Sequence, residues 1–271
     1  MTSESEVSRA SGSKPGNSDI FDVIIVGAGA AGIGVGIALA HSGVGNFVII
    51  DRDSVGSSFA SWPDETRFIT PSFPSNSIGM LDLNSIAVGV SPAYNMRIEH
   101  PTGSEYALHL QDLAEHFELP IRENAEVLQI TKEDDVFSVE TAEWTISSEN
   151  VIWAAGEFLY PRLDGFPGSE LCLHTSTLEN YADLEGDDFL IIGGYESGVD
   201  AAYHLSKRGK KVTMFDKDDP WGLKGTQFNQ AGLPGGFSQI TPLPGFPVFS
   251  NVSSGAGTHP LMDAIRSKAS A

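Results

Sequence analysis

Regular patterning starts at Ile20. Residues 21–26, Phe-Asp-Val-Ile-Ile-Val, form a short β-branched run of the kind that a buried parallel strand needs. Gly27-Ala28-Gly29-Ala30-Ala31-Gly32 follows at once, and residues 33–41, rich in Ala and Ile, predict a helix that Ser42-Gly43 stops. Residues 46–50 predict a second buried strand, ending on Asp51. This is one βαβ unit. A second copy lies downstream: a strand at 189–192, the turn Gly193-Gly194-Tyr195-Glu196-Ser197-Gly198, a helix at 199–208 closed by Gly209, and a strand at 211–215 ending on Asp216. The chain therefore holds an internal repeat.

The stretch between the copies is less regular. Pro63, Pro71, Pro74, Pro92 and Pro101 exclude long helices over much of residues 52–118. Residues 106–118 predict a helix. Residues 121–130, 136–141 and 144–146 predict strands, and residues 151–156 a further buried strand running into Gly156. Residues 1–18 are mostly Ser, Glu, Gly and Lys, lack the apolar stretch of a secretory signal, and read as a disordered tail. After Trp221 the chain is rich in Gly and Pro, with only residues 261–268 suggesting a short helix.

Composition narrows the function classes. The 271 residues include 36 acidic against 16 basic side chains, a net charge of −20, which repels nucleic-acid phosphates. No apolar run of about 18 residues suggests a membrane span. One cysteine excludes an intrachain disulfide, a Cys-x-x-Cys redox pair and a cysteine-based zinc cluster. The cytoplasm is then the default location, the expected partner is a small-molecule substrate, and a homodimer is compatible with all of this. His100, His109 and His116 have no metal-ligand context and read as surface or packing residues. No Gly-x-Ser-x-Gly elbow supports a serine hydrolase.

The first glycine turn carries the strongest chemical signal, because it follows a strand, opens a helix and is answered by an acid at the end of the next strand. Gly27 permits the tight turn, Gly29 lets a pyrophosphate approach the backbone, and Gly32 lets the helix pack close to the strand. The free N–H groups at the helix start, around Ala30 and Ala31, favour phosphate. Asp51 can accept from a ribose, and Arg52 beside it joins the candidate cofactor-binding residues. An acid at this position favours FAD or NAD over NADP. In the second turn Gly193 and Gly198 keep the outer glycine positions, but Tyr195 takes the middle one. Ser197 can donate to phosphate. Asp216 favours NADH, while Lys217 could meet a 2′-phosphate. This unit reads either as a nicotinamide-nucleotide site or as a purely structural repeat.

Two such units in one chain, the second preceded by Trp153-Ala154-Ala155-Gly156, resemble the flavoproteins with two dinucleotide-binding domains. Ser57-Ser58-Phe59-Ala60-Ser61-Trp62-Pro63, Phe68-Ile69-Thr70-Pro71-Ser72-Phe73, Trp153-Ala154-Ala155-Gly156-Glu157-Phe158, Phe166-Pro167-Gly168 with His174, and Gly193-Gly194-Tyr195-Glu196-Ser197-Gly198 are similar to the flavin-containing monooxygenase-like branch, of potassium-transport flavoprotein type. The resemblance implies an α/β fold: a Rossmann-like FAD-binding domain at 19–160 and an inserted NAD(P)-binding Rossmann unit at 161–221, read as incomplete, with an irregular segment at 222–271. It implies FAD on Gly27, Gly29, Gly32 and Asp51, with Trp62, Ala155 and Gly156 near the flavin, and NAD(P)H on Gly193, Ser197 and Gly198. Trp62 reads equally as a core or loop-anchoring aromatic. The implied function is an FAD-dependent, NAD(P)H-using oxidoreductase of monooxygenase-like type. A reductase without oxygen insertion and a non-catalytic nucleotide-binding protein are its rivals. Two departures stand out. His174 lies two positions further from Gly168 than the monooxygenase fingerprint places its histidine, and no return to the FAD domain is recognisable after Trp221. The expectation is a truncated or divergent C-terminus, or one completed by a partner subunit.

Overall fold

A computed structural model of the protein describes residues 20–73, 82–157 and 160–216. The readings placed on residues 1–18, on Lys217 and Trp221, and on the segment 222–271 lie outside the described residues. Strand β1 (Ile20–Val26) is central. It pairs in parallel with β2 (Phe47–Ile50) on one side and β6 (Thr145–Trp153) on the other. β3 (Ile121–Arg122) extends the sheet in parallel beyond β2. β5 (Val136–Thr141) and β4 (Val127–Glu133) run antiparallel beyond β6. The order across the six-stranded sheet is β3-β2-β1-β6-β5-β4, a Rossmann-like arrangement.

Side chains alternate faithfully across β1. Val23 and Ile25 enter one core with Ile33 and Ile37 of helix α1 (Ala30–His41). Tyr106, Leu110 and Leu113 of helix α4 (Gly103–His116) close that core from outside. Ile24 and Val26 point the other way, into a core shared with Val48, Ile50, Ala125 and Val139. A strand buried on both faces reads as an unbroken apolar run, which is why β1 and β2 are legible in the sequence.

Elsewhere the structure corrects the sequence reading. The single strand expected at 121–130 splits into β3 and β4, because Asn124 turns left-handed (φ 56°). The turn is pinned by Asn124 N–H on Asp53 O and Ala125 N–H on Asp51 O. The separate strands expected at 144–146 and 151–156 are one strand, β6. Its first half pairs with β5 and its second half with β1. It is not fully buried, since Trp153 is 64% exposed at its end. Helix α4 begins earlier than its apolar spacing shows, because Thr102 and Glu105 form a reciprocal capping box. Two one-turn helices, α2 (Ser57–Ala60) and α3 (Pro92–Asn95), were not expected.

The second repeat is built on β7 (Asp188–Ile192), helix α5 (Glu196–Lys207) and β8 (Lys211–Phe215). β7 and β8 pair in parallel in the register of β1 and β2, so Ile192 stands opposite Phe215 as Val26 stands opposite Ile50. Ala202 and Leu205 of α5 cover one face with Val212. The other face differs from the first copy. Leu190 and Ile192 correspond to the buried Ile24 and Val26, yet they are 58% and 49% exposed.

His109 sits fully inside the α4 side of the first core, and its Nε2 has no hydrogen-bond partner among the described residues. Burial holds its imidazole below the ordinary value of 6.5, although Asp112 and Asp82 pull the other way. The unfolded chain therefore takes up a proton, as pH falls through about 6.5, that the folded chain refuses, and stability is lost on the acid side. Urea unfolding of the protein and of His109→Leu should show this. Between about pH 7.5 and about pH 5 the wild type should lose more stability than the variant. Parallel profiles would mean that the folded protein accepts the proton.

Candidate dinucleotide site

The first glycine turn leaves β1 at the carboxyl end of the parallel strands, where Rossmann-like sheets place their ligands. Gly27 has a φ of +110°, a conformation that side chains disfavour. Its N–H donates to Ile50 O at 2.7 Å. A Cβ at Gly27 would lie 2.4 Å from Ala154 O and 2.9 Å from Ala155 N. A Cβ at Gly32 would lie 1.8 Å from Gly27 O, so α1 can cross β1 this closely only with glycine there. Gly32 belongs to the first turn of α1 rather than to the loop. Gly29 is different. A Cβ there would meet nothing closer than Ser58 Oγ at 3.9 Å. Packing requires glycine at two of the three positions, whereas a Cβ at the middle one would make only an ordinary contact with Ser58.

The start of α1 is suited to an anion. Gly29 is its N-cap, no side chain caps it, and its first turn holds no acid. The N–H groups of Ala30, Ala31 and Gly32 therefore have no acceptor within the helix. Asp51 closes the turn from β2: its Oδ2 accepts Ala28 N–H at 2.6 Å and its Oδ1 accepts Asp53 N–H at 2.9 Å. Each carboxylate oxygen keeps a second lone pair, so an oriented acid remains able to accept from a ligand hydroxyl. Arg52 turns to its neighbour Asp53 at 3.0 Å, a hydrogen bond that raises its pKa.

The surrounding residues converge on this turn. Ala154 N–H donates to Val26 O at 2.7 Å, which brings Ala155 and Gly156 beside Gly27. Gly156 has a φ of +77° with nothing near its missing Cβ. Gly56 N–H donates to Ala28 O at 3.1 Å and so ties α2 to the turn. Trp62 follows α2 and packs, half-buried, against Phe59 and Phe68 at 5.3 and 5.2 Å between ring centroids. Tyr106 completes this aromatic cluster on the same two rings. The contacts of Trp62 account for it as a loop anchor.

The second turn repeats the first in detail. Gly193 N–H donates to Phe215 O at 2.7 Å, Gly194 N–H donates to an Asp216 carboxylate oxygen, and a Cβ at Gly198 would lie 1.8 Å from Gly193 O. Two features differ. Tyr195, the N-cap of α5, is 61% exposed and takes the position that Gly29 holds in the first turn. Glu196 places an acid in the first turn, ahead of Ser197.

Other candidates have bland roles. His174 accepts Ser176 N–H as the cap of a short 3₁₀ turn, Cys172 is exposed, and Glu157 is an exposed loop carboxylate. No cluster able to hold a metal ion exists among the described residues, and none of their helices is long and apolar enough to cross a membrane. The sequence reading missed the carboxylate clamps of Asp51 and Asp216 onto the turns. The acid ending the second strand of both repeats was the available signal.

The glycines divide into positions that packing requires and one that it does not. Gly32→Ala should lower the thermal midpoint sharply, because its methyl meets a backbone carbonyl that cannot move away cheaply. Gly29→Ala should melt close to the wild type and yet retain less flavin after gel filtration. Equal losses of stability in the two variants would show that Gly29 is also needed for packing.

Comparison with known proteins agrees with this geometry. Residues 24–231 match the family described as pyridine nucleotide-disulphide oxidoreductase. An uncharacterized CzcO-like oxidoreductase of Geobacillus kaustophilus is 31% identical over 192 residues, covering 69% of this chain and 52% of that protein. The chain thus spans about half the length of the curated relatives it matches. Among solved structures, bacillithiol disulfide reductase Bdr (YpdA) from Staphylococcus aureus aligns with a TM-score of 0.58 at 21% identity, over 77% of this chain and 60% of that one. A flavin-containing monooxygenase from Stenotrophomonas maltophilia aligns with a TM-score of 0.57 at 22% identity, over 74% and 59%. These two likenesses speak for the fold, and the match over residues 24–231 speaks for descent. The chain belongs to the pyridine nucleotide-disulphide oxidoreductase family.

Proposed function

We propose that the chain is the nucleotide-binding part of an FAD-dependent oxidoreductase that takes its electrons from NAD(P)H. The observation that carries the reading is Gly29: packing does not demand a glycine there, and it caps a helix start that has no side-chain cap and no acid, which fits a pyrophosphate. Ala30, Ala31 and Gly32 would donate their N–H groups to the FAD phosphates, and Asp51 would accept from the adenosine ribose. Gly27 holds the turn. Arg52, at the rim, would lend positive charge. Ala155 and Gly156 border the same opening, and Trp62 would wall the flavin end of the site. In the second unit Gly193, Ser197 and Gly198 would hold the nicotinamide nucleotide, with Asp216 and Lys217 at its ribose. FAD, when bound, supplies two-electron chemistry by accepting a hydride from the nicotinamide and passing electrons to oxygen or an organic acceptor. The protein's share is binding, orientation and exclusion of water, so no acid–base dyad is required.

The monooxygenase-like branch is the finer part of the proposal. It rests on Trp62-Pro63, Thr70-Pro71 and Gly193-Gly194-Tyr195-Glu196-Ser197-Gly198. A Cys-x-x-Cys disulfide reductase is disfavoured for this chain, whose single cysteine has no partner with which to cycle. A non-catalytic nucleotide-binding role is the second reading. Tyr195 and Glu196 favour it, because bulk and negative charge both stand where a second pyrophosphate would approach.

Visible absorption and an anaerobic titration decide between them. Purified protein, reconstituted with FAD if colourless, should show flavin bands near about 450 nm that bleach on addition of NADH or NADPH. Flavin that binds but does not bleach would leave the first site and remove the second. Protein that takes up no FAD would overturn the oxidoreductase reading.

A further inference from the structure

The two glycine turns are joined by a set of polar contacts that neither turn uses. The loop after Trp62 reaches across to α5. Thr66 Oγ1 donates to Asp200 Oδ2 at 2.6 Å. Glu65 pairs with Arg208 through Oε1 and Nη2 at 2.5 Å, and its Oε2 accepts Tyr181 N–H at 2.9 Å. Asp64 N–H donates to Glu179 O at 2.8 Å. His204 lies between these pairs: its Nε2 is 3.4 Å from Asp200 Oδ1, and its ring stacks on Tyr181 with centroids 5.6 Å apart. Asp200 and Tyr181 are only 8% and 2% exposed. Burying a carboxylate this deeply is costly unless it is bonded, and Thr66 supplies a short bond to it from a distant part of the chain.

Asp200 and His204 of α5 and Arg208, its C-cap, follow one another at four-residue spacing, so they form one stripe. The second glycine turn sits at the N-terminal end of that helix. The other end of the connection is equally fixed. Gly56 holds α2 to the first turn through Ala28 O, and Trp62 leads from α2 directly into Glu65 and Thr66. One unbroken run of bonded residues thus leads from the first nucleotide turn to the second. We infer that Thr66 and Glu65 are positioning residues, which fix α5, and with it the second glycine turn, against the loop that carries Trp62. The consequence for chemistry rests on the function proposed above. Hydride transfer demands reacting atoms about 3–3.5 Å apart, and an error of about 1 Å can cost about 100-fold in rate.

The test uses the full chain with Thr66→Val and Glu65→Gln, and Thr66→Ser as the conservative control. Two readouts are needed. The first is amide hydrogen exchange at Asp64 and Tyr181, which requires no cofactor. Both substitutions should speed it by about tenfold or more while the amides of β1 stay protected, and Thr66→Ser should behave as wild type. The second is anaerobic flavin reduction by NADH or NADPH in FAD-loaded protein, beside the Kd for NAD⁺ or NADP⁺. Reduction should slow by about 10- to 100-fold with Kd within about twofold of wild type, and Thr66→Ser should restore it. Unchanged exchange at Asp64 and Tyr181 would overturn the inference. Faster exchange with undiminished reduction, or with rate and affinity falling together, would overturn the positioning role. A chain that binds no flavin would sink the proposed function, and the exchange readout would still decide whether Thr66 and Glu65 hold α5.

Discussion

The contact between the first turn of a helix and the carbonyl of the glycine that follows the preceding strand governs this molecule. In both repeats a methyl group at the third glycine would fall 1.8 Å from that carbonyl. The closeness lets α1 lie low enough on β1 and β2 for Ile33 and Ile37 to reach Ile25 and Ile49. It also aims the start of the helix at the open end of the sheet, so packing and anion affinity follow from one constraint. The acid ending the second strand reinforces it by accepting an N–H from inside the turn, Ala28 in one copy and Gly194 in the other. A negative charge is thereby held beside a partly positive helix end, at a distance fixed by the main chain rather than by a flexible side chain.

Once the helix is fixed this way, the rest of the first unit organises around the turn. Ala154 comes in from β6, Gly56 from the loop, and the aromatic cluster of Phe59, Trp62, Phe68 and Tyr106 braces the opening from one side. The second unit has the same turn but a different neighbourhood. It leans on the first through Asp200 and Arg208 rather than through a continuous sheet, since β7 pairs with β8 alone among the described strands. Among the described residues, that polar junction sets the position of the second turn against the loop that carries Trp62.

Much of this was legible in the sequence. Both βαβ units, their glycines and their terminal acids were visible, because a doubly buried strand and a close helix crossing each leave a local signature. What was not legible depended on partners remote in the chain. The break at Asn124 is enforced by carbonyls of Asp51 and Asp53, the length of β6 by two different neighbours, and the early start of α4 by a cap outside its apolar spacing. Thr66 and Glu65 gave no warning at all. Their significance comes from α5, more than a hundred residues away, and no pattern within the loop encodes it.

The exposed apolar side chains of β7 have a colloidal consequence. Leu190 and Ile192 present apolar surface where the first repeat is covered, and Trp153 adds more at the end of β6. A net charge of −20 makes copies of the chain repel one another, which opposes association through this surface at low salt. Repulsion reaches only about 8 Å at 0.15 M salt and less at higher concentration, while strongly salting-out ions also strengthen apolar association. The acidity that repels nucleic acid thus also opposes association through these exposed apolar side chains, and added salt weakens that opposition.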